Sequence, residues 1–184
     1  KSYCAGALAA EALQSGQIER IIITRPAVEA GESLGFLPGD LDDKFAAYID
    51  AFRDILNERL GEGAVNYALR HGRIVAAPLA YMRGKTFKDK TFVILDEAQN
   101  TTVEQMKMFL TRIGFGSTAV VTGDITQIDL PKGVKSGLCH VMDVLKNVQG
   151  IGFTYFDARD VVRHPLVKKI LHAYQRFEEG ADGE

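Results

Sequence analysis

Asp96 and Glu97 stand side by side at the end of an apolar run, Phe92-Val93-Ile94-Leu95. Adjacent carboxylates delivered by a strand can divide one task. One holds the Mg²⁺ that bridges a nucleotide's phosphates, and its neighbour orients or deprotonates an attacking water, which is the arrangement of a Walker B strand. An acidic pair also ends strands as a solvated loop start, so it gains meaning from what else reaches the same place. A second apolar run leads into Gly123-Asp124-Ile125-Thr126-Gln127, and a glutamine amide, which both donates and accepts, can sense a γ-phosphate or position water. Lys1-Ser2 has the residue types that close G-x-x-x-x-G-K-[ST], where the lysine reaches the β- and γ-phosphates and the hydroxyl ligates Mg²⁺. The dipeptide alone is equally an ordinary terminus.

These groups can meet only if the intervening elements return them to one edge of a sheet, as open parallel α/β sheets do with the ends of their strands. The hydrophobic pattern supplies such elements. Continuous apolar runs predict buried strands at residues 18–24, 74–77, 92–95, 117–122 and 152–156. Between them, an alanine-rich run from Ala5 predicts a buried helix closed by Gly16, and Phe45, Ile49, Phe52, Leu56 and Leu60 mark an amphipathic one that starts near Asp42-Asp43. A short helix is expected around 65–70. Thr101-x-x-Glu104 has the form of a capping box for a helix burying Val103, Met106, Phe109, Leu110 and Ile113. Further helices are expected over 136–148 and from Pro165 to about Glu179. Gly123 permits a tight turn that brings Asp124 and Gln127 to the edge carrying Asp96 and Glu97. Residues 27–40, with three glycines and a proline, fit neither helix nor strand, and long irregular loops of this kind are often functional.

In residues 81–90, Arg83, Lys85, Lys88 and Lys90 interleave with Tyr81 and Phe87. Cations and stackable rings suit a single-stranded nucleic acid; the same residues also make an ordinary solvated loop. The net charge of −2 offers no global attraction for polyanions, so such a contact must be local. At 184 residues, 46% hydrophobic and 25% charged, the chain suits one domain spanning 1–184. Cys4 and Cys139, without ligand spacing, read as small buried residues in a reducing compartment, and no run is long enough to span a bilayer or to serve as a signal peptide, so a cytoplasmic protein is expected.

Several segments occur together and in order: Lys1-Ser2, residues 23–40 (Ile-Thr-Arg-Pro through Leu-Pro-Gly-Asp), Pro-Leu-Ala-Tyr-Met-Arg-Gly at 78–84, Asp-Glu-Ala-Gln-Asn at 96–100, Gly-Asp-Ile-Thr-Gln at 123–127 and Asp-Val-Val-Arg-His-Pro-Leu-Val at 160–167. The set resembles the PhoH-like family, phosphate-starvation-inducible ATPases related to the core of superfamily 1 helicases. The resemblance runs to about Phe177. It implies a RecA-like P-loop domain with a parallel sheet of about six strands flanked by helices, the first strand and the glycine loop lying before Lys1. By the same resemblance Lys1 is the phosphate lysine, Ser2 and Asp96 are the Mg²⁺ ligands, and Asp124 belongs to the nucleotide site. Glu97 activates water, Gln127 senses the γ-phosphate and Arg163 stabilises charge. ATP and Mg²⁺ are then the cofactors, and ATP hydrolysis acts on RNA or another nucleic acid, with Arg83, Lys85 and Lys88 as contacts. The other reading is a slow, nucleotide-regulated assembly module. Length for only one such domain, where helicases set two around the nucleotide, implies a head-to-tail homo-oligomer, a ring of six, with Arg163 acting in trans.

Overall fold

The computed structural model describes residues 1–27, 41–157, 160, 162 and 165–181. The irregular segment expected at 27–40 lies outside the described residues from 28 onward, as do Arg163 and His164. The chain divides into two compact units, Lys1–Ile151 and Gly152–Glu184.

In the first unit the order is α1 (Ser2–Gln14), β1 (Arg20–Arg25), α2 (Leu41–Leu60), α3 (Glu62–Arg70), β2 (Ile74–Pro78), β3 (Thr91–Leu95), α4 (Val103–Leu110), β4 (Thr118–Val121) and α5 (Gly137–Val144). Among the described residues the sheet has four strands in the order β2-β1-β3-β4, every neighbouring pair parallel. All five residues of β3 are buried, because the sheet is covered on both faces. Alternation along the strand sorts them: Phe92 and Ile94 join Ile21, Ile23 and Ile74 under α1, α2 and α3, whereas Val93 and Leu95 join Leu79, Met82, Phe87, Met106 and Phe109 on the other face. Each such side chain contributes about 1.5–3 kcal/mol on burial, which fixes β3 and therefore the place where its acids emerge.

On α1, Ala5, Gly6, Ala9, Ala10 and Leu13 are buried, and the helix ends with Gly16 at φ 75°, the left-handed position that glycine fills without strain. Cys4, expected inside, is exposed, since it falls one position off that buried stripe; it and the half-buried Cys139 are free thiols. The stripe expected on α2 buries Ile49, Phe52 and Leu56, with Ile55 added.

Three expectations are corrected. Residues 152–157 form no strand: an apolar run becomes one only when a neighbour accepts and donates along its backbone, and Tyr155 and Phe156 are exposed instead. The capping box of α4 lies one residue later, with the Thr102 hydroxyl accepting from the Gln105 N–H and the Gln105 side chain accepting from the Thr102 N–H. A 3₁₀ turn at Ala98–Asn100 takes up the extra residue, and Thr101 is buried, donating its hydroxyl to the Ala98 carbonyl at 2.7 Å. The next helix, α5, stops at Val144 rather than Val148, and Val148 is exposed.

The second unit carries α6 (Pro165–Ala181), with Pro165 as its first helical residue. Among the described residues no helix is long and apolar enough to cross a membrane.

Candidate functional site

Parallel register brings the pieces of the site together. Thr24 pairs with Leu95, so Arg25 and Asp96 leave adjacent strands at the same level, and the Asp96 N–H donates to the Thr24 carbonyl at 2.9 Å. On the other side Leu95 pairs with Val121; the Thr122 N–H then bonds the Leu95 carbonyl, and the Ala98 N–H bonds the Thr122 carbonyl. The acid pair is thus laced to both neighbouring strands at the C-terminal edge of the sheet.

Asp96 is 4% exposed, and burying a carboxylate is tolerable only with close partners. Its Oδ1 accepts the Ser2 hydroxyl at 2.9 Å and the Thr122 hydroxyl at 2.5 Å, and its Oδ2 lies 3.3 Å from Arg25 Nη2. The same Nη2 is 3.3 Å from Glu97 Oε1. Glu97 sits at φ 52°, ψ 37°, a left-handed conformation uncommon for a residue with a Cβ. The backbone thereby turns away from the strand just after Asp96, and the Glu97 side chain stays partly open to solvent, 38% exposed.

Lys1 caps the start of α1, and its Nζ is 2.9 Å from Asp124 Oδ2. Asp124 also takes the Thr126 hydroxyl and N–H on Oδ1, at 2.7 and 3.0 Å. The Thr126 hydroxyl, followed by Lys1, holds the Asp124 carboxyl down at about 2. Gln127 is exposed; its N–H closes a turn on the Asp124 carbonyl, and its own carbonyl accepts Gln99 Nε2 at 3.2 Å.

Lys1, Ser2, Asp96, Glu97 and Asp124 therefore converge, with Gln127 attached through Gln99. Arg25, Gln99 and Thr122 belong to the cluster and were not foreseen as site residues. A cation ending the strand beside β3 was the available signal for Arg25. Gly123 also has a different reason from the one expected: it is not left-handed, but a Cβ there would lie 2.5 Å from Leu138 Cδ2 and 2.9 Å from Gln99 Oε1, so a larger residue would have to displace those side chains.

The basic segment is less focused than its sequence suggests. Arg83, Lys85 and Lys88 are exposed and Tyr81 is 48% exposed, but Phe87 is buried against Phe109, ring centroids 5.6 Å apart, and is not available for stacking on a base. The segment runs from the C-terminal end of β2 to the N-terminal end of β3, so its cations are strung along the height of the sheet, where Lys90 pairs with Glu19 at 3.1 Å.

A doubly covered parallel sheet, with a lysine-serine helix start and an acid pair gathered at its C-terminal edge, has the architecture of a P-loop nucleotide-binding domain. The family described as PhoH-like protein matches residues 1–175, and the chain belongs to that family. The PhoH-like protein of Bacillus subtilis is 57% identical over 176 residues, covering 96% of this chain and 55% of the relative. That of Synechocystis sp. is 52% identical over 178 residues, covering 97% and 54%. Protein PhoH of Escherichia coli is 49% identical over 176 residues, covering 95% and 49%. The chain thus spans about half the length of these curated relatives.

Proposed function

We propose that this chain carries the catalytic groups of an ATPase that couples hydrolysis to work on RNA or another nucleic acid. The observation supporting this reading is the meeting of Lys1 and Ser2 with Asp124 and Asp96, partners 123 and 94 residues away in the chain. The donor set fits Mg²⁺. Ser2 Oγ and Asp96 Oδ1 are 2.9 Å apart, close to the ~3.0 Å between adjacent corners of an octahedron with Mg–O bonds of about 2.1 Å.

In this reading the bound Mg²⁺ neutralises phosphate charge, and the protein's own groups do the rest. Lys1, whose ammonium already donates to a carboxylate oxygen at 2.9 Å, holds the β- and γ-phosphates, while the backbone N–H groups at the start of α1 face the same anion. Glu97 carries a carboxylate open enough to receive water and tethered enough to direct it. Arg25 offsets the combined charge of Asp96 and Glu97. Gln127 and Arg163 supply the γ-phosphate contact and the charge-stabilising cation, the latter from a neighbouring subunit of a head-to-tail oligomer. The exposed Arg83, Lys85 and Lys88 give the chain a set of phosphate contacts for single-stranded RNA.

The test is the ATPase rate of the full-length protein with and without single-stranded RNA, for the parent and Glu97→Gln. Loss of a positioned base lowers turnover by about 10²–10⁴ while binding persists. Parent-rate hydrolysis by Glu97→Gln would remove Glu97 from its role. A rate indifferent to RNA would favour the nucleotide-regulated assembly module over the motor.

A further inference from the structure

Gln99 has no exposed surface, yet its amide is fully engaged. Nε2 donates to Glu97 Oε2 at 2.6 Å and to the Gln127 carbonyl at 3.2 Å, while Oε1 accepts the Asp124 N–H at 3.0 Å. Only one orientation of the amide satisfies these partners, because the flipped group would face two oxygens with an oxygen and an N–H with an NH₂. The residue itself is anchored, since Ser136 Oγ, buried at the start of α5, donates to the Gln99 carbonyl at 2.7 Å. Gly123 and Leu138 close around it: the space a Cβ would need at Gly123 is already taken by Gln99 Oε1 and Leu138 Cδ2.

From this geometry we infer that Gln99 is a positioning residue that ties the free oxygen of Glu97 to the 124–127 turn, so that the acid and the turn move as one body. Glu97 is held at both oxygens, by Arg25 on Oε1 and by Gln99 on Oε2. The arginine contact is 3.3 Å long and its side chain is 26% exposed; the glutamine contact is 2.6 Å and comes from a side chain with no exposed surface. Gln99 therefore sets where the carboxylate points. Because the same amide grips the turn at Asp124 N and Gln127 O, a displacement of Asp124 or Gln127 by a phosphate reaches Glu97 through one rigid planar group. The effect on turnover rests on the hydrolysis reading above; the mechanical link does not.

Two substitutions separate the halves of this bridge in the full-length protein. Gln99→Met keeps the side-chain volume and loses all three hydrogen bonds. Gln99→Glu keeps an oxygen for the Asp124 N–H but loses both donors and sets a second carboxylate against Glu97. Amide hydrogen exchange at Asp124 is expected to speed up by about five- to tenfold in Gln99→Met, with exchange at Ile94 in the centre of β3 unchanged. In Gln99→Glu the Asp124 amide stays protected while kcat for ATP falls by about 10²-fold, with KM within about threefold, as for a reacting group misplaced rather than removed. Parent-rate exchange at Asp124 in Gln99→Met, or parent-rate hydrolysis by Gln99→Glu, would overturn the inference. A parent protein that hydrolyses no ATP would refute the ATPase reading, and the exchange comparison by itself would then uphold or overturn the bridge.

Discussion

Replacing Thr122 by valine removes one oxygen atom from the centre of the site and leaves its shape nearly intact. The Thr122 hydroxyl donates to Asp96 Oδ1 at 2.5 Å, and that carboxylate is 4% exposed, so water cannot replace the missing donor easily. Hydrogen bonds to charged partners contribute about 1.5–3 kcal/mol. The Ser2 hydroxyl and Arg25 remain on Asp96, which places the loss at the lower end, about 1.5–2 kcal/mol. For a chain of this size about 1 kcal/mol corresponds to roughly 2–4 °C, so the thermal midpoint should fall by about 3–8 °C. Unfolding by urea gives the free energy directly. Repeating the substitution in an Asp96→Ala background isolates the pair, because there the hydroxyl has no carboxylate to serve and its loss should be nearly neutral. A loss under about 0.5 kcal/mol in the parent, or an equal loss in both backgrounds, would refute the claim that Thr122 supports the buried acid.

Three further outcomes are expected. Alanine at Arg83, Lys85 and Lys88 should weaken binding of single-stranded RNA and flatten the log–log salt slope by about 0.7 for each phosphate no longer neutralised; unchanged affinity and slope would return the segment to ordinary solvated surface. Asp124 is held below the ordinary carboxyl value of 3.8, at about 2, so it contributes stability that is present above about pH 4 and lost as pH falls towards 2. Stability measured against pH should therefore drop less steeply across that window in Thr126→Val, which lacks the hydroxyl bond that comes first among the causes of the shift; identical curves would contradict the assignment. Mixing Arg163→Ala subunits with Glu97→Gln subunits, each inactive alone, should restore part of the ATPase rate if Arg163 acts across an interface, since such an arginine is worth about 10³–10⁵ in turnover; verified exchange without recovery excludes the trans arrangement.

The residues whose role is fixed by their own strand were legible in the sequence. Phe92 to Leu95 has no polar interruption, and a strand buried on both faces has no use for one, so the strand and the emergence of Asp96 at its end could be read directly. What the sequence hid depends on register and on turns. Arg25 reaches the acids because Thr24 pairs with Leu95 rather than with a neighbour of it, and Thr122 does so because the Val121 pairing is equally specific. Gln99 was unreadable for a related reason: its partners lie in the 124–127 turn, which comes into range only once β3 and β4 are side by side, although a glutamine and an asparagine inside an otherwise apolar, threonine-capped turn were a signal that buried amides were needed there. The segment at 152–157 shows that apolar content without a partner strand does not suffice.

The packing of α1 carries a mechanical consequence. Its inner face is Ala5, Gly6, Ala9, Ala10 and Leu13, and Gly6 lies so close to α2 that a Cβ there would stand 3.1 Å from Ile55 Cγ2 and 3.3 Å from Phe52 Cδ1. Alanine and glycine have no rotamers, so at Gly6 the contact has no side-chain freedom on the α1 side. Any adjustment where α1 meets α2 at Gly6 therefore falls to the side chains of Phe52 and Ile55, and a larger residue at position 6 would have to push them aside.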